Sequence, residues 1–160
     1  MFCKQNRINI IYTIIIIMTT FIQSNQAIQL LAAGAAATYI VAVADSGKNI
    51  MIPPLGGAAL FTLGITLPSL QAGLRYRFIA QGILASAVTI VPAVAANIFV
   101  GTLLLNNGGG PPLITGMIAK TGSANVQLTA TAASGDFIDL FCDGTLWYAS
   151  GASRVAAGLA

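Results

Sequence analysis

The sequence lacks histidine and glutamate, so its acidic side chains are four aspartates. General acid–base catalysis relies mostly on histidine and on carboxylates that are tuned by their neighbours. The remaining candidates are aspartate, Lys48, Lys120, tyrosine and a thiol, and no nucleophile stands beside a base. We therefore predict that the protein is not an enzyme, with no catalytic residue and no cofactor.

Charge is scarce: 7% of the 160 residues are charged, whereas 56% are hydrophobic. A soluble monomer of this size normally carries more surface charge, so we expect copies of the same chain to cover much of its surface. Lys4 and Arg7 lie in an N-terminal extension, which leaves five basic residues against four acidic ones in the body. No basic run is present, so no nucleic-acid partner is predicted.

Cysteine and metal-ligand spacing are equally sparse. Cys3 precedes the apolar run at residues 8–22 and Cys142 lies on a predicted core face, so a disulfide between them is not expected. Asp136, Asp139 and Asp143 fall at a strand start, on a strand face and in a turn. That spacing favours one turn former and two strand-edge acids over a calcium site, and we predict no metal site.

A single long apolar run occurs, at residues 8–22, behind Lys4 and Arg7. It is shorter than the roughly 20 residues that a membrane span needs. Three interpretations remain open: translation from Met18, a signal peptide, or a membrane anchor if the run is retained. We assign residues 1–27 to an apolar N-terminal extension that lies outside the folded domain.

The body reads as a series of short strands that recur about every ten residues between turn-forming segments. Residues 28–37 are rich in Ala and Leu and predict a short helical or extended lead-in. Residues 38–160 predict one all-β domain, an antiparallel sandwich or barrel. The predicted strands span residues 38–44, 48–53, 58–65, 74–81, 87–92, 97–105, 112–120, 124–131, 136–142 and 145–150.

The segment GDFIDLFCDGTLWYASG, residues 135–151, predicts a β-hairpin with a two-residue turn at Asp143-Gly144. That turn would place Leu140 opposite Trp147 and Phe141 opposite Leu146. Both faces of the hairpin are apolar. One face carries Ile138, Leu140, Cys142 and Trp147, and the other carries Phe137, Phe141, Leu146 and Tyr148 with Asp139.

We interpret the first face as part of the core and the second as a subunit interface, because a solvated hairpin needs only one apolar face. Arg75 and Arg77 alternate with apolar residues in LRYRFIAQ, residues 74–81. They either meet an aspartate across the subunit contact or lie on an ordinary solvated strand face. The predicted interface therefore comprises Phe137, Asp139, Phe141, Leu146, Tyr148, Arg75 and Arg77.

From about residue 38 to residue 150 the order of these segments resembles a family of small jelly-roll virion proteins. The closing pattern GD-x-I-x-L-x-x-DGT-x-WY-x-x-G is similar to endings of capsid-associated or fibre-head proteins of large DNA viruses and of fibre or decoration proteins of tailed phages. Asp136, Asp143, Gly144, Trp147 and Tyr148 carry the match. The hydrophobic N-terminal extension departs from the pattern.

The resemblance implies an eight-stranded antiparallel jelly roll that assembles as a homotrimer in a virion, beside other capsid proteins. Asp143 and Gly144 would form the turn, and Leu140 and Trp147 would anchor the core. The alternative is a secreted or fibre-displayed recognition module that binds a receptor or glycan through exposed aromatic residues or through the loops at 53–57 and 106–112. The Gly/Pro-rich, uncharged loops favour assembly over recognition.

Overall fold

The computed structural model describes residues 28–29, 37–54, 63–94, 98–106, 114–155 and 157–160. These residues form eleven β-strands and a single turn of 3₁₀ helix at Val43–Asp45. The predicted extension, residues 1–27, lies outside the described residues. The strands are β1 (Ile28–Gln29), β2 (Ala37–Ile40), β3 (Asn49–Ile52), β4 (Leu63–Thr66), β5 (Arg75–Ala80), β6 (Val88–Val91), β7 (Phe99–Asn106), β8 (Ile114–Ser123), β9 (Val126–Leu128), β10 (Phe137–Cys142) and β11 (Trp147–Ser153).

Each of the strands β2 to β11 overlaps one of the ten predicted strands, although the ends of most strands differ by a few residues. Proline marks two of these ends, since Pro53 follows β3 and Pro92 follows β6. Proline cannot donate a ladder hydrogen bond, so a strand ends there at little cost. The strand predicted for residues 38–44 stops at Ile40, because the side chain of Asp45 accepts a hydrogen bond from the Ala42 N–H and bends the chain into the 3₁₀ turn.

The lead-in predicted for residues 28–37 as helical or extended is extended, and not helical, at both of its ends. Ile28–Gln29 form β1, which pairs with β3, and Ala37 is the first residue of β2. Residues 30–36 lie outside the described residues. Alanine-rich composition favours helix only as a weak prior, which pairing with an existing strand edge overrides.

The strands form two sheets, as in a β-sandwich. A seven-stranded sheet has the order β1-β3-β5-β10-β11-β7-β8, and a four-stranded sheet has the order β2-β4-β6-β9. The predicted antiparallel character is not confirmed, because both sheets are mixed. Strands β1, β3 and β5 run parallel, as do β2, β4 and β6, and β11 runs parallel to β7.

Strands β1 to β6 alternate between the two sheets, so each connection crosses the sandwich and each sheet grows by parallel addition. The chain therefore returns to the same sheet every two strands: β2, β4 and β6 of the four-stranded sheet begin at residues 37, 63 and 88. A jelly roll consists of antiparallel Greek keys, and its topology is not confirmed by this strand order. The hairpin of β10 and β11 then joins β5 to β7 in the middle of the large sheet.

The core fills the space between the sheets. Its largest fully buried side chains include Trp147, Tyr76, Phe78 and Phe99, and the Tyr76 and Trp147 rings lie 5.9 Å apart. Each such side chain contributes about 2–3 kcal/mol of burial free energy. Alternate residues of β5, β10 and β11 point into this core, which sends their neighbours to the outer face of the large sheet.

Candidate functional site: the outer face of the seven-stranded sheet

The β10–β11 hairpin is closed by a four-residue loop, Asp143 to Leu146, and not by a two-residue turn. Cys142 pairs with Trp147 and Phe141 with Tyr148, so the predicted register is wrong by two residues. The cause is the Asp143 carboxylate. Its Oδ1 accepts hydrogen bonds from the backbone N–H groups of Thr145 (2.7 Å) and Leu146 (2.8 Å), which stabilise the wider loop.

A shift of two residues keeps every side chain on its face, because side chains alternate with a period of two. Leu140, Cys142 and Trp147 therefore lie in the core, and Phe137, Asp139 and Phe141 point outward. Leu146 is the exception: it is half-buried within the loop and is not part of the strand face. Gly144 has a φ of +102°, a value that glycine tolerates in such a loop.

Six of the seven residues predicted for the interface share the outer face, where the registers align side chains into three rows across the strands. The aromatic row is Arg75, Phe141, Tyr148, Val100 and Thr121. The polar row is Asn49, Arg77, Asp139, Ser150, Thr102 and Ala119. The apolar row is Met51, Ile79, Phe137, Ala152, Leu104 and Met117.

The aromatic row combines two exposed rings with a cation. The Arg75 guanidinium lies 5.1 Å from the centre of the Phe141 ring, whose own centre is 6.2 Å from that of Tyr148. Phe141 is 37% exposed and Tyr148 is 43% exposed. The Tyr148 hydroxyl donates to the Asp143 carboxylate at 3.1 Å, and this hydrogen bond raises the pKa of Tyr148.

The polar row contains a two-pronged ion pair within one chain. Arg77 donates from Nε to one Asp139 oxygen and from a terminal nitrogen to the other, both at 2.6 Å. This hydrogen bonding raises the pKa of Arg77, and its guanidinium also lies 4.9 Å from the centre of the Phe137 ring. The acid that Arg77 meets is therefore on the neighbouring strand of the same chain, whereas one sequence interpretation placed it across a subunit contact.

The apolar row crosses six strands without a charged side chain. Met51, Ile79 and Phe137 are half-buried, and Met117 at its far end is 69% exposed. The sequence does not reveal this row, because its members come from six separate segments. The alternation of side chains within each segment indicates which residues share a face but not which strands are neighbours. Only the strand order aligns them.

A groove of about 620 Å³ runs over the aromatic and polar rows. Its floor includes the backbone at Gly101 and Ala149, and its walls include Arg75, Phe141 and Tyr148. Gly101 is required there, because a Cβ at this position would lie 1.9 Å from the Ala149 carbonyl oxygen. The lining provides stacking surfaces and hydrogen-bond donors, which suit binding through shape and charge.

Asp136 was predicted as a strand-edge acid, and this interpretation is wrong because its side chain is completely buried. Its carboxylate accepts hydrogen bonds from the N–H groups of Ala133 and Arg154, both at 2.8 Å, and from the Ser153 hydroxyl at 2.7 Å. It therefore ties the start of β10 to the end of β11. Gly158 packs against this cluster, since a Cβ there would lie 2.9 Å from the same carboxylate.

The aspartates of the closing segment occupy separate environments: Asp136 in the interior, Asp139 in the ion pair and Asp143 in the hairpin loop. The Cys142 thiol is buried and unpaired, and its sulfur accepts a hydrogen bond from the Gly144 N–H at 3.3 Å. Cys3 and most of the predicted receptor loops, at 55–57 and 107–112, lie outside the described residues. Of the helices that the structure describes, none has the length and apolarity to cross a membrane.

Comparisons with known proteins identify no relative of this chain. No protein-family model matches the chain, and neither a curated protein nor a solved structure matches it. The outer face is thus characterised by its geometry alone.

Proposed function

We propose that this protein is a structural protein of a virion, in the capsid or its surface fibre, and that copies associate through the outer face of the seven-stranded sheet. The closing motif GDFIDLFCDGTLWYASG supports the virion assignment by its resemblance to virion proteins. The outer face supports the self-association. The proposal needs a two-sheet sandwich and does not depend on jelly-roll connectivity.

The observation that carries the self-association is the composition of the outer face. Two of its three rows consist mainly of apolar and aromatic side chains that stay partly in water, and its ion pair is neutral overall. Covering one exposed aromatic side chain contributes on the order of 1–2 kcal/mol. Several such side chains on each copy are enough to offset the cost of association when the surfaces fit.

The resemblance implies three copies, in company with other capsid proteins, whereas the outer face itself supports the pairing of two copies. A chain with so little charge loses few charge–water contacts when its faces are covered, which suits dense packing in a particle. The virion location and the company of other capsid proteins follow from the same resemblance.

Light scattering on the full chain tests the self-association through its mass. We expect the mass of an oligomer for the unmodified chain and that of a monomer or an aggregate for Phe141→Asp, because the new carboxylate would be buried in the contact. Ala85→Asp adds the same charge at an exposed position of the β5–β6 connection and should keep the oligomer. A monodisperse monomer of the unmodified chain would refute the proposal.

The recognition module remains the second candidate, and the groove is the feature that favours it. Its two exposed rings and the Arg75 guanidinium match a site that stacks on a sugar and binds an acidic group. This function requires Phe141 and Tyr148 to stay open to solvent in the native state. A monomer that binds immobilised acidic glycans, and loses that binding in Arg75→Ala, would favour it.

A further inference from the structure

The outer face shows a regular pattern when the residues of its two neighbouring strands β5 and β10 are compared row by row. In each row, the residue on β5 and the residue on β10 are chemically complementary. The three pairs are Arg75 with Phe141, Arg77 with Asp139, and Ile79 with Phe137. Each pair joins a cation to a ring, a cation to an anion, or two apolar side chains.

We propose that this face binds the same face of a second copy across a two-fold axis that runs parallel to the strands, between β5 and β10. This inference rests on the proposed self-association and names its partner and symmetry. The rotation places β5 of each copy opposite β10 of the other and keeps every row opposite itself. Arg77 then faces Asp139 of the second copy, and Asp139 faces Arg77, so that one contact occurs twice.

The same rotation matches the flanking rows. Arg75 faces Phe141 of the second copy, which places each guanidinium between two aromatic rings, a favourable arrangement for a cation. Ile79 faces Phe137 on the other side of the ion pairs. Two aligned twisted sheets cross at about 30°, so the pairs nearest the axis keep their alignment best, and these are the three complementary pairs.

The distribution of carboxylates supports the same face as the partner. The chain has four aspartates. Besides Asp139, Asp45 pairs with Lys48, Asp136 lies in the interior, and Asp143 is held by its own loop and by Tyr148. Among the residues that the structure describes, the outer face of the four-stranded sheet presents no carboxylate. Its aligned residues include Thr38, Gly64, Thr89 and Gln127. Among the described residues, an arginine that pairs with an aspartate therefore occurs on the outer face of the seven-stranded sheet and not on that of the four-stranded sheet.

The area sets the expected strength. The four strands β3, β5, β10 and β11 lie symmetrically about the two-fold axis. At about 4.8 Å between strands and about 7 Å between three rows, they project onto roughly 400 Å² per copy. Two copies would bury roughly 800 Å² or more, which is in the range of weak, transient interfaces. We therefore expect a dimer that dissociates on dilution. The groove over the aromatic and polar rows would accommodate side chains of the facing copy.

Charge reversal tests the pairing. Arg77→Asp places four acids at the axis, two from each copy, and Asp139→Arg places four bases there, so each variant should repel its own copies and weaken association roughly a hundredfold. An equimolar mixture of the two should restore a dimer that contains one copy of each. The double variant Arg77→Asp/Asp139→Arg keeps both the internal and the facing pairs and should dimerise alone. Circular dichroism confirms that each variant folds.

Sedimentation equilibrium of the full chains reads out the result. Two copies for the unmodified chain, one for each single variant and two for the mixture support the two-fold contact. Three copies, or single variants that do not restore association when mixed, would overturn the two-fold contact and leave the proposed self-association in place. One copy at every concentration for the unmodified chain would overturn both, and glycan binding would then account for the groove.

Discussion

Replacing Asp136 with alanine should destabilise the fold strongly, although the sequence places this residue at the start of a strand. The substitution removes the acceptor of three hydrogen bonds of 2.7–2.8 Å, from Ala133, Ser153 and Arg154. A hydrogen bond to a charged group contributes about 1.5–3 kcal/mol, and a buried donor that loses its acceptor costs about 1–3 kcal/mol. These values are not additive, so we expect a loss of about 4 kcal/mol in the free energy of unfolding.

Urea unfolding followed by tryptophan fluorescence measures this loss, since Trp147 is the one tryptophan and lies in the core. With a slope of about 2 kcal/mol per molar urea, the midpoint should fall by about 2 M. Asp139→Ala is the matched control when it is compared with the unmodified chain at a concentration at which both are monomers. It breaks a half-exposed ion pair that solvent screens, so it should cost less than about 1 kcal/mol.

Asp136→Asn keeps the shape and one acceptor oxygen, and its midpoint should lie between those of the unmodified chain and Asp136→Ala. Equal midpoints for Asp136→Ala and Asp139→Ala would refute the reasoning. That result would mean that the Asp136 hydrogen bonds contribute no more than an exposed pair.

Two further predictions concern the groove floor and the core. Gly101→Ala should cost at least about 3 kcal/mol in thermal unfolding, because φ is +134° and the new Cβ meets the Ala149 carbonyl. Gly116→Ala meets only ordinary contacts at 3.5 Å and should stay within about 1 kcal/mol of the unmodified chain, so an equal loss for both would contradict the geometry. Burial, with smaller contributions from Asp45 and Cys142, raises the pKa of Tyr76 from 10.0 to about 12. The folded state binds this proton more tightly than the unfolded state, so its contribution to stability is complete below pH 10 and is lost as the pH rises towards 12. Tyrosinate absorbance should show one late-titrating tyrosine that is missing in Tyr76→Phe, and simultaneous titration of all tyrosines near pH 10 would contradict this assignment.

The sequence identified the strands well because alternation and turn residues are local properties. Arg75 and Arg77 alternate with Tyr76 and Phe78, and the structure buries only the second pair. Strand neighbours were not accessible in the same way. The segments that precede β6 are short, apolar and flanked by turns. This pattern is equally compatible with antiparallel hairpins and with connections that cross between two sheets. The antiparallel prediction is not confirmed at this point because the connections cross the sandwich.

The site was predictable to the same extent. Both apolar faces of the closing hairpin follow from its alternation, and they survive the error in its loop because that error is two residues. The role of Asp136 was not predictable, because its donors Ser153 and Arg154 lie at the end of the partner strand. The apolar row was missed for the same reason, since Met51 and Met117 become neighbours of one surface only through the strand order.

The position of the β10–β11 hairpin has a consequence for how the chain reaches its native state. Strands β10 and β11 are synthesised after β5 and β7, yet they occupy the middle of the large sheet, between these two strands. Until they emerge from the ribosome, β5 and β7 each present an open edge that can capture a strand of another nascent chain. Folding must therefore wait for contacts between distant segments, which makes it slow. Chains that have exchanged strands with one another should therefore form first where many copies are synthesised close together.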